Sequence, residues 1–319
     1  MGIQHLNSYM KQNTKEDSIK KYSLNKFAGK VIVIDTSIYL YRFLADGCLL
    51  ENMYMMIVLL RHYHIIPIFV FDGKAPIEKN NLLIKRKNDK IAAEKKYNIL
   101  KTQLSNISKS NNLHDELYND MMVLKKKFIR IRREDIIKVQ NLMTAFGVSY
   151  IKAEGEADIL CAKLVQKKYA YACLSEDMDL FVYGCPRVFR YLSLMNETVI
   201  MYSLDKILKD LNITFQEFKE ICVLSGTDYN YNIYNRTNLY KTLNYFKQFK
   251  QNNISGDFYT WVDNNSDYIS NIYDLYNIYN IFDCNSINLK QYKLNKMIKP
   301  INKSKIEEIM KPDGFIFIN

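Results

Sequence analysis

With 319 residues and 48% hydrophobic side chains, the chain can bury one large core or two smaller ones, which sets it apart from disordered or fibrous sequences. Its longest apolar run, Met53 to Leu60, is far too short to span a bilayer, and Met1-Gly2-Ile3-Gln4-His5 lacks the pattern of a secretory signal, so no membrane targeting is expected. The formal net charge of +11 is concentrated: between Lys79 and Arg133 there are fifteen Lys/Arg against five acids. A segment so basic suggests a polyanionic partner, although a solvated helix face would explain charge alone equally well.

In chain order, Lys30-Val31-Ile32-Val33-Ile34-Asp35 is a β-branched run ending in an acid, as expected of a central parallel strand covered on both faces. Ile38 to Leu44 reads as the helix behind it, and Met53 to His64 as a second helix. Pro67-Ile68-Phe69-Val70-Phe71-Asp72 is another buried strand with an acid at its end. Helix between the two strands predicts a parallel βαβ unit, with Asp35 and Asp72 on one sheet edge. Glu154 and Glu156 open an apolar-periodic helix, where the macrodipole favours negative charge. Tyr171 to Leu174 is a third strand, leading into Ser175-Glu176-Asp177-Met178-Asp179. Phe215 to Leu224 reads as a helix capped by Thr214, followed by Ser225-Gly226-Thr227-Asp228-Tyr229. Beyond residue 242 the sequence is rich in Tyr, Asn, Ile and Lys, with helical stretches at Ile272 to Phe282 and Lys303 to Lys311. No internal repeat is evident. Gly314-Phe315-Ile316-Phe317 fits a short packed strand or a loose tail.

Seven carboxylates thus fall at strand and helix ends: Asp35, Asp72, Glu154, Glu156, Asp177, Asp179 and Asp228. Taken singly, each fits an ordinary turn or cap acid. Together they could not stay ionised side by side without cations, because each carboxylate raises the pKa of its neighbour. The six cysteines form no C-x-x-C pair and the four histidines match no zinc spacing, so a hard divalent ion, Mg²⁺ or Mn²⁺, is favoured over zinc. Scattered cysteines in apolar runs also point to reduced thiols and an intracellular, reducing setting. Two such ions about 4 Å apart suit an in-line phosphoryl displacement, which makes phosphodiester hydrolysis the natural chemistry.

The ordered set V-I-D-T-S, F-D-G-K-A-P, E-G-E-A-D, S-E-D-M-D and L-S-G-T-D-Y, with the opening M-G-I, resembles the flap endonuclease family of structure-specific 5′ nucleases over roughly residues 1 to 230. The resemblance implies an α/β fold: a mainly parallel central sheet flanked by helices, a basic helical arch over the active site at about 79–133, and a helical C-terminal region. It divides the chain into a nuclease domain at 1–229 and a duplex-binding region at 230–319. It implies two Mg²⁺ (or Mn²⁺), with Asp35, Asp72 and Glu156 around one, Asp177 and Asp179 around the other, and Glu154 and Asp228 acting through water. Lys79 and Arg86 would act on the scissile phosphate, and Tyr41 would stack on the substrate. Gly2 would be threaded near the site if Met1 is removed. The remaining DNA contacts expected are Lys85, Lys87, Arg130, Arg132 and Arg133 of the arch; beyond Asp228, Arg236 and Lys241 are expected to supply charge, on their place in that segment alone.

Two departures from the family pattern stand out. The stretch between the first helix and the F-D-G strand, Ala45 to Ile66, is short where the family seats a 3′ flap. Asn230 to Lys241 has no glycine where the family grips duplex backbone, sometimes through K⁺. No sliding-clamp peptide is recognisable, and a monomer acting on DNA is expected. A 5′-3′ exoribonuclease acting on RNA is the nearest alternative, because E-G-E also occurs in that related group. A non-catalytic nucleic-acid-binding scaffold is the second, although a scaffold would be expected to have lost acids.

Overall fold

The structure, a computed structural model, describes residues 2–105, 112–230, 238–252, 256–284, 287–294 and 297–317. Seven strands form one sheet: β1 (Ile19–Ser23), β2 (Val31–Asp35), β3 (Ile66–Phe71), β4 (Ser149–Lys152), β5 (Ala172–Leu174), β6 (Arg187–Ser193) and β7 (Thr198–Ser203), in the order β1-β7-β6-β5-β2-β3-β4. The pairs β2–β3, β3–β4, β2–β5 and β5–β6 are parallel; β6–β7 and β1–β7 are antiparallel. The mainly parallel expectation therefore holds, with an antiparallel hairpin and β1 added at one edge.

The helices are α1 (Leu6–Asn13), α2 (Thr36–Ala45), α3 (Leu49–His62), α4 (Asn80–Ser105), α5 (Asn112–Lys127), α6 (Arg133–Ala145), α7 (Ala157–Gln166), α8 (Asp179–Val182), α9 (Leu204–Leu211), α10 (Phe215–Ser225), α11 (Leu239–Gln251), α12 (Phe258–Asn265), α13 (Ile272–Ile281) and α14 (Lys303–Met310). Period-two alternation splits each central strand between two cores. Val33, Ile68, Val70 and Cys173 face a core shared with α1, α7, α10 and the C-terminal helices α11 to α13. Ile32, Ile34, Phe69 and Leu174 face the other, filled from α2, α3, α6 and α14. Thr214 caps α10 as its sequence suggests, its hydroxyl accepting from Glu217 N while Glu217 returns a bond to Thr214 N. The C-terminal Gly314–Phe317 stretch forms no strand; Phe315 and Phe317 pack on Tyr54 of α3.

After β2 the chain builds outward through β3 and β4, then returns to the opposite side of β2 as β5. This reversal leaves a crevice beyond the carboxyl ends of β2 and β5, the place where open parallel sheets bind ligands. All six cysteines are free, and five are buried. No helix among the described residues is long and apolar enough to cross a membrane.

Candidate active site

The crevice is assembled by backbone contacts between strand-end loops. Gly73 N donates to Gly155 O at 2.7 Å and Lys74 N to Glu154 O at 2.9 Å, which zips the F-D-G turn to the E-G-E turn. A Cβ on Gly73 would lie 2.1 Å from Ala153 O, so only glycine permits this approach. Asp72 then accepts from Ala157 N at 2.8 Å, satisfying one orphan donor at the start of α7, and Glu156 stands as the residue before that helix. On the other side of β2, Ser175 Oγ donates to Asp35 Oδ2 at 3.0 Å and accepts from Asp177 N at 3.1 Å.

Asp35, Asp72, Glu156, Asp158, Asp177 and Asp228 line one cleft together with Tyr41, Lys79 and Arg86. Asp179 lies just behind it, fully buried, with neither carboxylate oxygen hydrogen-bonded. Gly2, at φ +76°, runs against these acids: a Cβ there would meet Asp179 Oδ1 at 2.4 Å and Asp177 Oδ1 at 2.8 Å. Gly2→Ala combines left-handed backbone strain with that clash. It is expected to lower the melting temperature and displace both acids; a variant with wild-type melting and wild-type cleavage would contradict this placement.

Crowding and burial shift the acids in one direction. Burial, with Asp72 and Asp177 nearby, pushes the Asp35 carboxyl up to about 8. Burial and the Asp177 and Asp228 charges push Asp179 well above the carboxylate range, and burial with Glu156 does the same to Asp158. Between about pH 4 and about pH 8 the folded chain therefore holds a proton on Asp35 that the unfolded chain releases. Metal-free stability should fall as pH rises through that window, and thermal melts from about pH 5 to about pH 8 should show it. Asp35→Asn should make the slope shallower, with Asp158 and Asp179 still contributing in the same direction; an unchanged slope would remove Asp35 as one of its sources.

The acids offer only hard oxygen donors, and Asp179 has two buried oxygens without partners, a set that fits a hard divalent cation. Among the described residues no group of three or more His, Cys, Asp or Glu side chains is poised to hold an ion. Two of the acids are engaged by cations of the chain instead. Lys79 Nζ lies 2.8 Å from Glu156, and Arg86 Nη2 lies 2.8 Å from Asp228 Oδ2. Burial alone would lower the Lys79 pKa, but Asp158 and Glu156 hold it above its ordinary value.

Most of the basic segment forms α4 and α5, packed on each other, and its start reaches the acids through Lys79 and Arg86. Lys85 and Lys87 are exposed on α4. Arg130 pairs with Glu94 at 2.8 Å, Arg132 precedes α6, and Arg133 begins α6 rather than closing the arch. Tyr41 lines the cleft, 44% exposed, with Lys90 Nζ 4.9 Å from its ring centroid. Lys241 lies at the start of α11, its ammonium 4.7 Å from the Tyr268 ring. Arg236, and with it most of the glycine-less segment in which the family sometimes holds K⁺, falls outside the described residues.

Glu154 is not brought to the cleft; it is exposed, and its backbone serves the loop pairing. Two residues that do reach the site carry no expectation from sequence: Asp158 and Tyr229. Both stand inside the quoted motifs, as the last letters of E-G-E-A-D and L-S-G-T-D-Y. The available signal for Asp158 was a carboxylate in the first turn of the helix that follows Glu156.

The chain matches the XPG N-terminal domain over residues 1–93 and the XPG I-region over residues 147–228. It belongs to the XPG-like flap endonuclease family. Among its relatives, flap endonuclease 1 of Debaryomyces hansenii is 30% identical over 249 residues, covering 72% of this chain and 62% of that protein. Flap endonuclease 1 of Saccharomyces cerevisiae is 29% identical over 248 residues, covering 72% and 61%. The matched part thus spans about three-fifths of these relatives' length. In fold, the catalytic core of Rad2 in complex with DNA substrate aligns at TM-score 0.65 and 20% identity over 98% of this chain and 94% of that one. Flap endonuclease-1 from Methanococcus jannaschii aligns at TM-score 0.62 and 21% identity over 93% and 91%.

Proposed function

We propose that this chain is a Mg²⁺-dependent, structure-specific 5′ nuclease that cleaves DNA at 5′ flaps or junctions during replication and repair, working as a monomer. The observation that carries this reading is the pairing of arch and sheet: Lys79 and Arg86 reach down onto Glu156 and Asp228 at the sheet's ligand edge. Family membership supports it, as does the fold shared with Rad2 solved with DNA substrate.

Asp35, Asp72, Glu156, Asp177 and Asp179 would hold two divalent ions, with Asp228 and the newly located Asp158 beside them. When bound, such ions supply Lewis-acid activation of the phosphate and of the attacking water. Lys79 and Arg86 already stand in the cleft as cations, and an entering phosphodiester offers them oxygens in place of Glu156 and Asp228. They would orient the scissile phosphate and stabilise the charge that builds on it. Tyr41, with an exposed ring at the cleft wall, would stack on a base beside the cut. Lys85, Lys87 and Arg130 on the arch would steer the 5′ single strand, so binding should weaken steeply with salt. Cleavage breaks the P–O3′ bond and leaves a 5′-phosphate.

The test is cleavage of end-labelled 5′-flap DNA, nicked duplex and 5′-phosphorylated single-stranded RNA, with Mg²⁺ and with EDTA. Mg²⁺-dependent cutting at the flap junction supports the reading. Degradation of RNA alone would move the chain to the exoribonucleases, and no cutting at all would leave a binding scaffold.

A further inference from the structure

Tyr229 occupies a position that the nuclease reading leaves without a task. It follows Asp228 in a turn clamped by Asn230, whose amide oxygen accepts from Thr227 Oγ1 at 2.9 Å and whose amide nitrogen donates to Val223 O at 2.7 Å. The clamp sends the two side chains different ways. Asp228 meets Arg86, whereas Tyr229 turns inward and is only 6% exposed. There its hydroxyl donates to Glu156 Oε2 at 2.8 Å and shares a 2.8 Å hydrogen bond with the Tyr183 hydroxyl. Its ring lies under Lys79, with Nζ 4.5 Å from the centroid.

One side chain therefore touches both halves of the site. We propose that Tyr229 is a positioning residue: its hydroxyl tethers Glu156 and its ring seats Lys79, so that the carboxylate and the phosphate-facing ammonium are held in register. The inference rests on the nuclease reading. Geometry favours it over a purely packing role, because a core tyrosine needs only one polar partner, whereas this one has two and a cation on its face. Phe282, at the end of α13, packs edge-on against Tyr229 with centroids 5.3 Å apart and also contacts Tyr183 at 4.8 Å. The C-terminal helices thus buttress the tyrosine pair from behind, which ties the region beyond the sheet to the setting of Lys79.

Two substitutions separate the two contacts. Tyr229→Phe keeps the ring and removes the tether; Tyr229→Leu removes both. Each is made in the wild-type chain, and Tyr229→Leu also in a Lys79→Ala chain. Single-turnover flap cleavage, DNA affinity, and stabilisation by Mn²⁺ in a thermal-shift titration are then measured. Tyr229→Phe should slow cleavage about tenfold, the size typical of losing a residue that orients a metal-holding group, and should raise the Mn²⁺ midpoint several-fold. DNA affinity should stay within about twofold. Tyr229→Leu should cost more than Tyr229→Phe, and most of that extra loss should vanish in the Lys79→Ala background, as expected when two groups act through one another.

A Tyr229→Phe protein with wild-type rate and Mn²⁺ midpoint overturns the proposal, as does a Tyr229→Leu loss fully additive with Lys79→Ala. If the Tyr229 variants do not fold, Tyr183→Phe, which leaves Tyr229 whole but removes its hydroxyl partner, should still slow cleavage at least threefold. Wild-type behaviour there would also overturn it. The Mn²⁺ titration needs no substrate, so a wild-type chain that cuts no flap would sink the nuclease reading while this titration still decides the tether.

Discussion

Asp179→Ala is expected to lower flap cleavage by more than about a hundredfold, beyond the 10–100-fold cost of losing a merely supporting group at a metal site. DNA affinity should change little. Asp179 is fully buried and its two oxygens have no hydrogen-bond partner among the described residues. Burial and the Asp177 and Asp228 charges raise its pKa, so in the metal-free chain it is a source of strain rather than of stability. A second outcome follows from the same fact. The variant should melt higher than the wild type in EDTA, because an unpaired buried carboxyl has been removed, and should lose the stabilisation that divalent ions give the wild type. Near-full turnover in Asp179→Ala would reject its place in the metal set. A lower melting temperature in EDTA would show that packing around Asp179 outweighs its desolvation.

The parts of this fold that were legible in the sequence are those where burial is complete. Val31–Asp35 and Ile66–Phe71 read as continuous apolar runs because both faces of the strand are covered; the first ends in Asp35 and the second is followed at once by Asp72. Of the strands missed, β1 and β4 set Lys, Tyr and Ser at exposed or partly exposed positions, and the β6–β7 hairpin, though largely covered, breaks its apolar residues with Arg187, Arg190 and Thr198, so none of them reads as a continuous apolar run. For the site, motif position predicted which loops meet but not which way each side chain turns. Glu154 and Glu156 are two residues apart, yet the Glu154 carbonyl is taken by Lys74 N in the loop pairing and its side chain is exposed, while Glu156 immediately precedes α7 and lines the cleft. Asp158 reaches the cleft from the first turn of that same helix. Tyr229 was hidden for a different reason: in a chain with 25 tyrosines, identity alone singles out none of them.

Lys79→Ala is expected to reduce the cleavage rate by about 10²- to 10³-fold, the range for removing one donor from a charge-stabilising site, with DNA affinity within a few-fold of wild type. The reasoning starts from burial. The Lys79 side chain is only 7% exposed, held 2.8 Å from Glu156 and over the Tyr229 ring, so it cannot act as a roaming surface charge. A cation fixed in that way contributes most where negative charge grows during the reaction and least to the initial capture of DNA. Arg86 is different: its side chain is 42% exposed, and it leans on Asp228 from the arch, so Arg86→Ala should divide its loss between rate and affinity. Lys87, exposed on α4, marks the other extreme. Lys87→Ala should weaken DNA binding more than it slows cleavage, and should reduce the slope of log affinity against log salt by about one. The three substitutions therefore order themselves by depth in the cleft. Kinetics that split rate from affinity, measured at two salt concentrations, would read that order directly. Equal losses of rate and affinity for Lys79→Ala would make Lys79 a backbone contact like Lys87, and the pairing with Glu156 would then belong to folding rather than to chemistry.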